Sequence, residues 1–364
     1  MKIGNVEING LGALAPMAGA SDAAFRQLCR EFGAAYTVTE MVSSRAMDYN
    51  DRKTMELADI SHDQGPVFIQ IFGSEPDCMA RAAEKMAALG PAGIDINMGC
   101  PAPKIVSSGA GCALMQDPTL CGKIVSAVKK AVNLPVTVKI RAGWSWGNAN
   151  APEVAKVCQE AGADGVCIHG RSRDQFYSGK ADPGIMRLVK EAVDIPVIAN
   201  GDVGGPDAAE ALLKETGCDM VMVGRGALGN PWVFRALNLY FSPQRQHLPP
   251  PDMEEKLRVM RLHAQRMCEY KGETRAMLEM RKHAGWYLSG LRWASRYKRQ
   301  TVGLHKLEDL DLIIQGMRKM TELEQAGQLQ PNGKRVNSTR TVPRIAKRKA
   351  AETGQDAPQK EEYE

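Results

Sequence analysis

The chain has 364 residues, 44% of them hydrophobic, and 47 Lys and Arg against 42 Asp and Glu give a net charge of +5. That length allows one large domain and a smaller one, and the mild positive excess permits an anionic partner without demanding one. No apolar run reaches membrane-spanning length, the N-terminus lacks a signal-peptide pattern, and nine cysteines without a CxxC pair argue against a disulfide framework, a zinc site or any other metal centre. A reducing cytoplasm fits this cysteine usage.

Eight short apolar runs follow one another: Leu11–Met17, Ala35–Met41, Val67–Phe72, Gly93–Asn97, Val136–Arg141, Gly165–His169, Val197–Asn200 and Met220–Gly224. Amphipathic segments separate the later ones, at Asp77–Ala88, Pro118–Val132, Ala151–Ala161, Pro183–Ala192 and Pro206–Glu215. Gly-Pro-Val, Leu-Pro-Val and Ile-Pro-Val at 65, 134 and 195 mark strand starts. The alternation predicts a (β/α)8 TIM barrel over residues 1–242. A doubly wound sheet also alternates, but eight nearly equally spaced strands fit it less well.

From Phe241 to Pro251 the composition is that of a linker. Residues 252–325, within an expected domain spanning 243–325, then carry helical periodicity without strand signals. Leu257, Met260, Leu262, Ala264, Met267 and Cys268 supply one apolar face, and Leu307, Leu310, Ile313, Ile314 and Met317 another. A small all-helical domain is expected. Residues 326–364 are poor in large hydrophobes and rich in Lys, Arg, Glu and Gln, so this basic, polar tail is expected to be disordered.

The stretch Asp95-Ile96-Asn97-Met98-Gly99-Cys100-Pro101 puts a cysteine just past a buried strand, between a permissive glycine and a stiff proline. Most free cysteines are buried hydrophobes; this one gains weight from its neighbours. In a barrel the site forms at the C-terminal strand ends. Those ends carry Pro16, Met17 and Ala18, then Gln70, Asn97, Lys139 and Arg141, His169 and Arg171, Asn200-Gly201-Asp202, and Gly224-Arg225-Gly226. Glycine loops after the seventh and eighth strands form the usual phosphate site of this fold, where Arg225 can add charge-assisted bonds. Lys139 needs an anionic partner if it points inward. That partner is either the N1–C2=O edge of a reduced flavin or a carboxylate such as Asp95 or Glu40. His169 can bond flavin, substrate or phosphate, or serve the structure alone. Gln70 can read the flavin edge or fill a barrel layer.

Ala15-Pro16-Met17-Ala18-Gly19, Asn97-Met98-Gly99-Cys100-Pro101, Val138-Lys139-Ile140-Arg141, His169-Gly170-Arg171 and Asn200-Gly201-Asp202 resemble the tRNA-dihydrouridine synthases, most of all the bacterial B-type members. The resemblance runs to about residue 325. It implies an FMN-binding barrel and a helical tRNA-binding domain that together reduce the C5–C6 double bond of uridine, with NADPH reloading the flavin. It further implies hydride transfer from flavin N5 to C6 and a proton from Cys100 to C5. Pro16, Met17, Ala18, Gln70, Lys139, His169, Asn200, Gly201, Asp202, Gly224 and Arg225 would contact FMN. Asn97, Arg141 and Arg171 would face the substrate.

Between 281 and 300, Arg281, Lys282, Arg292, Arg296, Lys298 and Arg299 stand without an acid among them, interleaved with Trp286, Tyr287, Trp293 and Tyr297. The cations are expected on an RNA-facing surface, the aromatics mainly in the core. Lys104 to Gly109 is less basic than the corresponding loop of relatives, and Arg344, Lys347, Arg348 and Lys349 cluster in the tail. The expected protein is a monomer that needs tRNA, and neither a membrane nor a protein partner.

Overall fold

The computed structural model describes residues 1–49 and 51–329. A hairpin, β1 (Lys2–Ile3) and β2 (Val6–Glu7), opens the chain and is followed by β3 (Gly12–Leu14), α1 (Ala23–Glu31), β4 (Thr37–Val38), β5 (Val42–Ser43), α2 (Ser44–Asp48) and α3 (Arg52–Leu57). Regular alternation then sets in with β6 (Val67–Phe72), α4 (Pro76–Ala87), β7 (Gly93–Met98), α5 (Pro103–Val106), α6 (Pro118–Ala131), β8 (Val136–Arg141), α7 (Ala151–Glu160), β9 (Gly165–His169), α8 (Pro183–Ala192), β10 (Val197–Asn200), α9 (Pro206–Thr216) and β11 (Met220–Val223). The remainder is helical: α10 (Trp232–Tyr240), α11 (Met253–Lys271), α12 (Glu273–Tyr287), α13 (Ala294–Lys298) and α14 (Leu307–Gln325).

Strands β3, β4, β6, β7, β8, β9, β10 and β11 pair in parallel and close, because β4 pairs with β6 on one side and β3 with β11 on the other. The predicted TIM barrel is therefore present. The first two strands are shorter than their apolar runs; beyond the first, Pro16 has no N–H for the ladder. The hairpin β1–β2 and the short β5, α2 and α3 have no counterpart in the periodicity, being too short to complete a period.

Local chemistry explains the helix starts. Asp22 caps α1, its carboxylate accepting the Phe25 N–H at 2.9 Å, and Asp117 and Asp182 cap α6 and α8 in the same way. Proline occupies the first turn of α4, α6, α7, α8 and α9, where its missing N–H costs nothing.

The barrel interior is filled by Ile3, Ile8, Ala13, Tyr36, Val38, Phe68, Ile198 and Met220, so the hairpin contributes to the plug. A second core lies between the strands and helices α4, α6, α7 and α8. A third joins the barrel to the helical region: Leu14, Phe25 and Leu28 share one cluster with Met260, Met277, Tyr287 and Ile313. Removing Phe25 from water contributes roughly 1.5–3 kcal/mol to that junction. Leu329 is buried in the same cluster, and the tail beyond it, with Arg344, Lys347, Arg348 and Lys349, lies outside the described residues. No described helix is long and apolar enough to cross a membrane.

Candidate active site

Register brings the site together. Asn97 pairs with Lys139 across β7 and β8, Arg141 with His169 across β8 and β9, and His169 with Asn200 across β9 and β10. Side chains alternate across a strand, so one register line at the C-terminal ends aims several of these groups into one space. That space is a cavity of about 850 Å³. Cys100, Asn97, Arg141 and all eleven residues predicted from sequence to hold FMN line it.

Cys100 follows β7 in a loop tied down at both ends. Asn97 Oδ1 accepts the backbone N–H of Gly99 at 3.2 Å and of Cys100 at 2.9 Å. Arg141 Nε donates to the Gly99 carbonyl at 2.9 Å, and its Nη1 donates to the carbonyls of Ser172 and Phe176, both at 2.9 Å. Burial pushes the Cys100 thiol up, against the opposing pull of the Ala102 N–H and of Arg141 and Lys139. It is therefore a protonated thiol at neutral pH, able to donate. Of the other cysteines, all but Cys268 are buried, and none lines the cavity.

Lys139 crosses the barrel mouth to Asn200, its ammonium donating to Asn200 Oδ1 at 2.9 Å while Asn200 Nδ2 bonds the Met222 carbonyl at 2.7 Å. No described carboxylate forms an ion pair with it. Asp95 is engaged by Gln70 and Thr137, and Glu40 accepts the Gly19 N–H. An inward ammonium bonded only to a neutral amide is a receptor for negative charge. His169 sits among Lys139, Arg141, Arg171 and Arg225; burial and these charges hold it down to about 2. Arg171 Nη1 reaches its Nε2 at 3.4 Å, and a guanidinium only donates, so the imidazole is neutral with its proton on Nδ1.

The loop after β10 is held under tension. Asp202 takes a φ of +55°, fixed by Arg171 Nη2, which donates to its two carboxylate oxygens at 2.9 and 2.8 Å, and by the Ala181 N–H at 2.8 Å. Arg225 approaches Asp202 at 3.3 Å and lies over the Tyr177 ring, 4.8 Å from its centroid. A Cβ on Gly204 or Gly205 would meet nothing within 4 Å, whereas one on Gly226 would strike the Val203 carbonyl at 2.2 Å. The two glycine loops thus lie against each other and leave open space beside them. The cations, the neutral imidazole and this space suit a planar ring that becomes anionic on reduction and carries one phosphate.

Several expectations change in three dimensions. Arg141 and Arg171, placed with the substrate-facing residues from sequence, are 3% and 2% exposed and spend their donors on carbonyls and Asp202. Arg141 still lines the cavity; Arg171 does not. Arg292 is paired with Glu324, which the sequence holds 32 residues away, and Arg281 donates to the Leu304 carbonyl at 3.1 Å. Lys282, Arg296 and Arg299 remain exposed, and Lys298 is half-buried. Tyr287 and Tyr297 are core residues, as expected, but Trp286 lines the cavity. It gets there because α12 presses on the loop after β11: a Cβ on Gly229 would meet the Trp286 backbone at 2.4 Å. Phe176 and Tyr177 also line the cavity and were not singled out; two adjacent aromatics in a loop give no periodic signal.

Residues 13–320 match the family model described as Dihydrouridine synthase (Dus). The chain is 44% identical over 292 residues to a probable tRNA-dihydrouridine synthase of Rickettsia bellii, covering 80% of this chain and 89% of that one. It is 40% identical over 307 residues to tRNA-dihydrouridine synthase B of Pseudomonas aeruginosa, covering 84% and 91%. Among solved structures, histamine dehydrogenase from Rhizobium sp. 4-9 shares the fold with a TM-score of 0.53 at 13% identity, over 64% of this chain and 46% of that one. A 2-naphthoyl-CoA reductase does so with 0.51 at 14%, over 64% and 50%, so the chain spans about half of either structure. With a family model over most of its length and relatives at this identity, the chain belongs to the dihydrouridine synthase family.

Proposed function

We propose that this protein reduces the C5–C6 double bond of uridine in tRNA to dihydrouridine. The observation that carries the reading is that a proton-bearing thiol, Cys100, shares one cavity with Lys139, neutral His169 and the glycine loops after β10 and β11. Bound FMN, recharged by NADPH, would supply the hydride for C6.

The protein's own residues do the rest. Lys139 and His169 bind the ring edge, with Gln70 at its polar side and Pro16, Met17 and Ala18 along it. Asn200, Gly201, Asp202, Gly224 and Arg225 hold the ribityl chain and phosphate. Asn97 holds the Cys100 loop, and the Cys100 thiol hands its proton to C5 from the ring face opposite the flavin. A uracil reaches this depth only by leaving its stack. Trp286, Phe176 and Tyr177 supply apolar walls for it. Lys282, Arg296, Lys298 and Arg299 carry the tRNA backbone.

Unmodified tRNA transcripts incubated with FMN-loaded protein and NADPH test this. Nucleoside mass spectrometry should show uridine gaining two hydrogens. Oxidation of NADPH without dihydrouridine in any transcript, but with turnover of a free pyrimidine or an enone, would replace the reading by small-molecule reduction.

A further inference from the structure

Asp95 has no part in the chemistry above, yet it is 4% exposed on β7, two residues before Asn97 and on the same face. One carboxylate oxygen accepts the Thr137 hydroxyl at 2.5 Å, the other the Gln70 Nε2 at 2.6 Å. Gln70 Oε1 in turn accepts Asn97 Nδ2 at 2.9 Å, and Asn97 Oδ1 accepts the N–H of Cys100 at 2.9 Å. Burial pushes Asp95 up to about 6, with Thr137, Gln70 and Lys139 pulling the other way, so at neutral pH it is ionised. An ionised carboxylate accepts and never donates.

We propose that Asp95 is a positioning residue for Cys100, its carboxylate fixing the direction of a hydrogen-bond chain that runs through Gln70 and Asn97 to the Cys100 backbone. The proposal rests on the reading of Cys100 as proton donor. Each carboxamide has one accepting and one donating end, and each is exchanged for the other by a half-turn. Because Asp95 can only accept, Gln70 must turn its NH2 toward it and its oxygen toward Asn97. Asn97 must then turn its NH2 toward Gln70, which leaves its oxygen for the N–H groups of Gly99 and Cys100. Were the two amides reversed, Asn97 would point donors at donors and release the loop. Gln70 and Asn97 are 1% and 7% exposed, so water is poorly placed to replace a lost partner. Displacing the thiol by about 1 Å would slow proton transfer on the order of 100-fold.

Moving the charge tests the direction of the chain. Asn97→Asp leaves Gln70 between two carboxylates, so its oxygen faces an acceptor whichever way it turns. Asp95→Asn alone still offers an oxygen to Gln70 and should be mild. In the double variant D95N/N97D every link is satisfied with Gln70 reversed. The amide introduced at position 95 donates to the Gln70 oxygen, Gln70 donates to the carboxylate introduced at position 97, and that carboxylate accepts the Cys100 N–H. Hydrogen exchange at the Gly99 and Cys100 amides reads this in FMN-loaded protein without tRNA. Exchange should rise about tenfold or more in N97D, the loss of roughly one buried hydrogen bond. It should return to within about threefold of wild type in D95N/N97D. Asn97→Ala should be impaired in either background. Exchange that is unchanged in N97D, or higher in the double variant than in N97D, overturns the proposal. Failure of the protein to reduce tRNA would instead overturn the functional reading, which this exchange measurement does not use.

Discussion

Lys139 on β8 reaches Asn200 on β10 across the intervening strand, with its ammonium 2.9 Å from the amide oxygen. The bond holds a cation over the cavity, and among the described residues no carboxylate forms an ion pair with it. Lys139→Met should therefore slow reduction of bound FMN by NADPH roughly tenfold or more, equivalent to about 1.4 kcal/mol of lost charge stabilisation. Stopped-flow bleaching of the flavin measures it. An unchanged rate would return Lys139 to a structural role.

If the loops after β10 and β11 hold a single phosphate, as proposed, the cofactor released by heat should have the mass of FMN. Arg225→Ala should weaken its retention by roughly 1.5–3 kcal/mol. Gly226→Ala should be more damaging, since the added methyl would strike the Val203 carbonyl. Release of FAD, or full flavin retention in both variants, would contradict this assignment.

Cys100→Ala should leave FMN content and tRNA affinity near normal. Single-turnover oxidation of the reduced flavin by tRNA should fall about 10²- to 10⁴-fold, the usual worth of a general acid. A near-normal rate would remove Cys100 from the reaction.

The salt dependence of tRNA binding should separate engaged from free cations. Replacing Arg296, Lys298 and Arg299 by Gln should flatten the log–log slope by roughly 2–3 if each neutralises one phosphate. Arg292→Gln should change it less, because Glu324 already pairs with Arg292. Truncation after Leu329 should have a small effect, leaving that buried residue in place. Equal slopes in the wild type and the triple variant, with binding abolished by truncation, would move the RNA-binding surface to the tail.

The junction between barrel and helices should fail in mild acid. His263 and His283 are buried, with rings 4.6 Å apart. Burial is the first cause lowering both, and His263 is held down to about 4. Between the ordinary value of 6.5 and about 4 the unfolded chain binds more protons, so stability is full above 6.5 and falls as pH drops through that window. The loss for His263 is about 3 kcal/mol, at about 1.4 kcal/mol per pH unit. Asp22 adds to this lower down. Burial alone would raise it, but Lys271 and the two histidines hold it at about 2. Thermal melts from pH 7 to 4 should show the slope, and His263→Phe should flatten it. A wild-type slope in that variant would place the acid sensitivity elsewhere.

The barrel was legible because its determinants are local. Strands buried on both faces read as continuous apolar runs, and prolines with capping aspartates announce the helices between them. The chemistry-bearing residues were legible for a related reason: in a parallel barrel, the end of each apolar run is the rim of the site. Periodicity ended where elements became short, so β5, α2, α3 and the plugging hairpin were invisible. Register and packing, which no local pattern encodes, decided the remainder. They turned Arg141 and Arg171 inward onto carbonyls and Asp202, gave Arg292 a partner in Glu324, and carried Trp286 from the helical region into the cavity wall. The sequence by itself determined which groups stand at the strand ends. Only the tertiary structure decided which of them are free to bind, because a charged donor buried near a carbonyl or carboxylate must satisfy itself there.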